Sequence, residues 1–283
     1  MQNVKVVLTG DGGDEVFGGY PWRHILLDKR TDAIESLIRS PLKGILRSSF
    51  GKVEQDARWE NGRLYDATVR RMRMINRLLE EGRESIYFQT LYCFTQADKH
   101  ALYAPEWSRC VGDVDTDDYL RGFLPDEGMD RLDRWLLFDL RTTLVNEMLA
   151  KVDRATMATG LEARVPLLDH TVIETAFSIS SSLKVRGDEG KIILKDLAGG
   201  FAEPGFFERP KHGFNIPFRV WFRDELKEYM QRIFENNILE REGYFKAGAV
   251  QGLFQAHLND TRRDFSNQLY TIAGLIEWMN TYL

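Results

Sequence analysis

Only two cysteines, Cys93 and Cys110, occur in 283 residues. Two are too few for a disulfide framework or a four-cysteine zinc site, so buried, reduced thiols are expected. No run approaches the roughly 18 apolar residues of a membrane span. No signal-peptide plan is visible: Lys5 interrupts the first apolar run, and Asp11, Asp14 and Glu15 follow it. The cytoplasm is the default location. Excess positive charge is also missing. With 38 basic and 43 acidic residues the net charge is −5, which gives no reason to expect nucleic acid as a partner. His24, His100, His170 and His257 show no metal-ligand spacing, and no Ser/His/Asp arrangement can be drawn. There are no internal repeats and no low-complexity linkers. What is present, 43% hydrophobic and 29% charged residues, is the balance of a globular chain of one large or two medium domains.

Val4, Val6, Val7 and Leu8 read as a buried strand running into a glycine-rich turn. A chain that begins almost on a strand is expected to be part of something longer. After Tyr20-Pro21-Trp22 the pattern is helical, at 32–40, 68–81 and 84–95. The longest helix is expected from Arg131 to about Thr159. Its apolar stripe is Leu137, Leu140, Leu144, Val145, Met148, Leu149 and Val152, with Gly160 as the stop. Further helices are expected at 171–178, 191–197, 219–235, 249–258 and 265–283. Residues 105–130, with an acidic run at 113–118, read as a solvated loop.

The chemistry begins at Leu8-Thr9-Gly10-Asp11-Gly12-Gly13-Asp14-Glu15-Val16-Phe17-Gly18-Gly19-Tyr20. A strand that ends in glycines and feeds a helix presents backbone N–H groups to an anion. Three carboxylates there would repel a bare phosphate, but they suit one accompanied by a divalent cation. No Gly-Lys-Ser/Thr follows, so this is not a P-loop, and the dinucleotide fingerprint spacing is absent. A tight turn with helix-capping carboxylates fits the spacing equally well.

The run Thr9 to Tyr20 resembles the second nucleotide-site motif of the glutamine-hydrolysing asparagine synthetases. Leu149-Ala150-Lys151-Val152-Asp153-Arg154 and Gly160-Leu161-Glu162-Ala163-Arg164-Val165-Pro166-Leu167-Leu168-Asp169 are similar to two further phrases of that family. Read physically, Lys151, Asp153, Arg154, Glu162, Arg164 and Asp169 form a half-buried ion network. Lys191 stands at a helix start, where the helix dipole disfavours a cation and an anionic partner would explain it. Arg209-Pro210-Lys211-His212-Gly213-Phe214 resembles the family's R-x-K-x-G-F loop and is expected to close over pyrophosphate.

The resemblance spans the chain from Val4 to about Trp221, and the whole of 1–283 is expected to be the C-terminal part of a synthetase domain. It implies an α/β fold: a remnant of the ATP-pyrophosphatase sheet beside a larger helical body. It implies ATP and Mg²⁺ as cofactors, adenylation of a carboxylate such as aspartate, and ammonia from glutamine as nucleophile. Asp11 and Lys191 are then catalytic candidates, Thr9, Gly10, Gly12 and Lys211 bind nucleotide, and Asp14 holds the metal. The family's S-G-G-x-D-S loop is absent from these residues, and neither cysteine matches that of the glutaminase domain. A fragment without amidoligase activity, able to pair through its open strand edge into a homo-oligomer, is therefore expected. Asp11 stands where asparagine-specific members usually have glutamate. Amidation of another carboxylate, a β-lactam synthetase-like reaction and a catalytically dead binding module are the alternatives.

Overall fold

The computed structural model describes residues 4–20 and 84–283, apart from 86, 113, 188, 204, 208–215, 236, 262 and 263. The segments expected to be helical at 32–40 and 68–81 lie outside these residues, as does Lys211.

In chain order the described elements are β1 (Val6–Leu8), α1 (Gly13–Phe17), α2 (Gln96–Leu102), α3 (Pro105–Val111), α4 (Thr116–Arg121) and α5 (Arg131–Asp139). A π-helical stretch, Leu140–Leu149, leads without a break into α6 (Ala150–Met157). Then come β2 (Glu162–Arg164), α7 (His170–Ser178), β3 (Val185–Arg186), β4 (Glu189–Gly190) and α8 (Ile192–Gly199). The chain closes with α9 (Phe218–Trp221), α10 (Lys227–Phe234), α11 (Ile238–Arg241), α12 (Ala249–Asn259) and α13 (Ser266–Tyr282). The described residues are mostly helical with two small sheets, β1 parallel to β2 and β3 antiparallel to β4. Among the described residues no helix is long and apolar enough to cross a membrane.

The described residues fall into two compact units. The first holds 4–20, 84–87 and 120–207, and the second holds 88–119 and 216–283. In the first, α1 buries Val16 and Phe17 against Leu140 and Leu144 of the π-helical stretch and Ala176 of α7, with Leu167, Leu168 and Ile193 packed around them. At about 1.5–3 kcal/mol per large apolar side chain, this small cluster holds a five-residue helix too short to persist alone. Asp130 caps α5, accepting from the N–H of Leu132 at 2.9 Å. Tyr87 stacks on Trp135 at 4.0 Å and donates to Asp139 Oδ2 at 2.7 Å. Lys184, fully buried, reaches Asp133 Oδ1 at 2.5 Å and lies over the Phe177 ring.

The second unit is built on α13. Leu269, Ile272, Ala273, Ile276 and Met279 recur at helical spacing and pack with Met230, Phe234, Leu239, Val250 and Phe254. His257 is fully buried. Its Nδ1 accepts from the Phe265 N–H at 3.2 Å. Burial and the nearby Arg223 guanidinium hold its pKa below the ordinary histidine value.

Several expectations need correction. β1 is not buried: Val6 is 39% and Leu8 72% exposed. Within 105–130, residues 105–111 and 116–121 are not loop but α3 and α4. Pro105 suits the first turn of α3, and Asp117 and Asp118 favour the amino end of α4. The expected helix at 219–235 is interrupted by a turn between α9 and α10. The long helix does run from Arg131 toward Gly160, whose φ of 68° ends it. Val145, however, is 54% exposed. Leu140, Leu144 and Met148, four residues apart, share the buried face, and Val145 lies one residue further round the helix from Leu144. Cys110 is exposed, not buried.

Candidate active site

Two of the sequence motifs meet in the parallel sheet. Val6, Val7 and Leu8 pair with Glu162, Ala163 and Arg164. The ladder continues one residue further, because the Thr9 N–H donates to the Arg164 carbonyl at 2.9 Å. The acidic glycine turn therefore leaves the sheet beside the Gly160–Asp169 phrase. Gly12 takes φ 82° at the start of α1, and a Cβ there would meet Leu168 Cδ2 at 2.1 Å. Only glycine combines that backbone with that contact. The Thr9 hydroxyl donates to Asp11 Oδ2 at 2.7 Å. Gly10 is exposed, with nothing near its missing side chain.

Asp14 and Glu15, adjacent in sequence, go opposite ways. Glu15 is only 3% exposed and accepts from the Tyr20 hydroxyl. Of the three carboxylates expected to face a cation, it is therefore one that turns inward. Asp14 stays half-buried and reaches Lys191 Nζ at 3.0 Å. Lys191 arrives from β4. Gly190 lies so close to α1 that a Cβ on it would stand 1.9 Å from the Gly18 carbonyl oxygen, and the Lys191 N–H donates to the Phe17 carbonyl at 3.0 Å.

Lys191 is also the one non-glycine described residue with positive φ, at 59°. A left-handed lysine costs about 1–3 kcal/mol. The pair with Asp14 is about a third exposed and returns at most about 1 kcal/mol. The hydrogen bond to Phe17 adds about 0.5–1.5 kcal/mol. These terms roughly cancel, so net stability does not explain why a lysine is held there. Strain at such a position points to function.

The expected ion network is not one network. Lys151, Asp153, Arg154, Glu162, Arg164 and Asp169 are all exposed. Arg164 pairs with Glu162 at 2.8 Å across the same strand face, Asp169 caps α7 through the Thr171 N–H at 2.9 Å, and Lys151 contacts Met148 Sδ at 3.5 Å. Thr171 bonds, the larger effect, and His170 hold Asp169 below the usual carboxylate range. The residues that do lock the turn are Leu167 and Leu168, three and four residues after Arg164.

No group of three or more His, Cys, Asp or Glu is arranged to hold a metal among the described residues. One half-exposed carboxylate, Asp14, beside a glycine turn suits a cation that takes its remaining ligands from phosphates and water, as Mg²⁺ does.

The two motifs together build a strand–turn–helix closed by a strained, ion-paired lysine. The sequence pattern of the asparagine synthase family matches residues 1–280, and the chain belongs to that family. It is 28% identical over 284 residues to asparagine synthetase [glutamine-hydrolyzing] 1 of Bacillus subtilis (strain 168), covering 98% of this chain and 40% of that protein. It is 30% identical over 235 residues to a putative asparagine synthetase [glutamine-hydrolyzing] of Mycobacterium tuberculosis (strain ATCC 25618 / H37Rv), covering 81% of this chain and 32% of that protein. Asparagine synthetase [glutamine-hydrolyzing] 3 of Bacillus subtilis (strain 168) is 23% identical over 232 residues, with 82% and 30% covered. The chain thus spans about two-fifths or less of these relatives. No solved structure matches it.

Proposed function

We propose that these residues are the C-terminal part of the synthetase domain of a cytoplasmic, ATP-dependent amidoligase. The reaction has two steps. A carboxylate oxygen of the substrate attacks the α-phosphorus of ATP and pyrophosphate leaves, giving an acyl-adenylate. Ammonia from glutamine then attacks the acyl carbon, and AMP leaves with the bonding electrons. The observation that carries the reading is the Asp14–Lys191 pair, 3.0 Å apart on two segments that glycines bring into contact.

Lys191 holds a positive charge where negative charge grows on the phosphorus oxygens and the departing pyrophosphate. A fixed cation of this kind contributes several kcal/mol to such a step. Asp14 orients that ammonium and is the ligand for Mg²⁺, which when bound neutralises the phosphate oxygens. Thr9 and Gly10 lie on the open side of the turn, toward the nucleotide, Gly12, buried against Leu168, shapes the turn beneath it, and Asp11, tied to Thr9, orients the acyl group. Lys211 is assigned to pyrophosphate by family resemblance alone. Aspartate is the first candidate substrate. Asp11 is one methylene shorter than the glutamate usual in asparagine-specific members, which leaves room for a longer carboxylate. Among the described residues β1 pairs only with β2, and that open edge makes self-association into a homo-oligomer part of the same reading.

The test is product analysis. The natural polypeptide that carries these residues is incubated with ATP, Mg²⁺, ammonium and a panel of amino-acid carboxylates. The reading expects AMP and a new amide in equal amounts from one of them. ADP as product, or no amide from any carboxylate, contradicts it.

A further inference from the structure

We propose that the second unit contains a separate binding site for a small amphipathic monocarboxylate, with an aryl or alkyl body and a single anionic end. The site is a cavity of about 430 Å³, within the size range of small-ligand sites. Phe94, Tyr103, Trp107, Tyr244, Phe245 and Met279 supply its walls. It involves none of the residues assigned above to nucleotide chemistry.

The walls are fixed before any ligand arrives. Trp107 meets Tyr244 edge to face at 4.7 Å and 80°, and Tyr103 lies 5.7 Å from Phe245. The backbone ties the same segments together: the Ala104 N–H donates to the Tyr244 carbonyl at 3.0 Å, and the Lys246 N–H to the Leu102 carbonyl at 2.8 Å. Lys246 Nζ adds bonds to the carbonyls of His100 and Ala101 at 2.7 and 3.0 Å. A cavity held this way needs little ordering on binding, which favours affinity.

Charge selects the class of ligand. Lys99 also lines the cavity, half-buried, and its Nζ donates to the Thr116 hydroxyl and, at 3.4 Å, to Gln96 Oε1. Both acceptors are neutral, and among the described residues no carboxylate lies within ion-pair distance of it. A half-buried ammonium without a counter-ion, at the edge of an aromatic cavity, is completed by one carboxylate on an apolar body. A dianion would leave its second charge against the rings, and a cation would meet Lys99.

The test uses phenylbutyrate and its neutral counterpart phenylbutanol, titrated calorimetrically into the natural polypeptide that carries these residues. The proposal expects phenylbutyrate to bind about tenfold more tightly than phenylbutanol, the scale of one charge-assisted hydrogen bond. Lys99→Met should remove that preference and leave phenylbutanol within about twofold, while Lys99→Arg should keep it. Leu275→Trp, which fills the cavity from an exposed helix position, should weaken both ligands at least tenfold with the circular dichroism spectrum unchanged. No phenylbutyrate binding at millimolar concentration, equal affinity for the two ligands, or unchanged binding in Leu275→Trp would each overturn the proposal.

Discussion

Replacing Gly190 with alanine tests whether the contact between β4 and the acidic turn positions the site. A Cβ at 190 would stand 1.9 Å from the Gly18 carbonyl oxygen and 3.0 Å from its carbon. Both neighbours are backbone, so no side-chain rotation relieves the clash. Either β4 or the end of α1 must move by more than 1 Å to restore ordinary contact, and overpacking of this kind costs about 1–3 kcal/mol. The movement acts on the two links that hold Lys191, its N–H bond to Phe17 and its ion pair with Asp14. The thermal midpoint should fall by about 2–4 °C for each kcal/mol lost. In the natural polypeptide, ATP–pyrophosphate exchange should fall by more than the folded fraction does. Unchanged exchange in a destabilised variant would show that the close approach serves stability alone. Unchanged stability and exchange together would refute the packing argument itself.

Three further outcomes follow from the same structure. Lys184→Met leaves the buried Asp133 carboxylate, whose pKa burial already raises, without its partner at 2.5 Å. Urea unfolding should show a loss of about 3–5 kcal/mol, and the double change Lys184→Met with Asp133→Leu should recover much of it. For His257 the folded-state pKa lies below the ordinary 6.5, so the unfolded chain binds the proton more readily. Its contribution is complete above pH 6.5 and is lost as the pH falls from there through the lower folded value. The urea midpoint should drop over that interval, and His257→Gln should flatten the drop. Finally, residues 1–283 contain no S-G-G-x-D-S loop, so this chain alone should form no AMP from ATP, aspartate and ammonium. A sensitive AMP assay decides it.

Much of this was legible because the signals were local. The helix starting at Gly13 follows from glycines before an apolar pair, and the end at Gly160 from a left-handed stop. Periodicity placed α7, α12 and α13 within a residue or two. Lys191 stood out because a cation at a helix start contradicts the dipole, but its partner Asp14, far away in sequence, could not be read from that. What was not legible depended on partners distant in sequence. Only the β1–β2 register shows that Thr9 lies beside Arg164. Nothing in Asp11, Asp14 and Glu15 says which carboxylate turns inward until Tyr20 is seen to bind Glu15. Glu162 and Arg164 looked like parts of a network because charges in one phrase suggest one another, yet a strand alternates its faces and keeps both in solvent.

The central claim is that Lys191 acts on the phosphorus centre and not merely as a tether for the turn. The measurement is ATP–pyrophosphate exchange catalysed by the natural polypeptide, compared with its Lys191→Met variant, alongside equilibrium binding of ATP with Mg²⁺. Loss of a cation that acts in the transition state should slow exchange by about a hundredfold or more while ATP affinity changes by less than about fivefold. Equal losses in exchange and affinity, or exchange at the wild-type rate, would contradict the account.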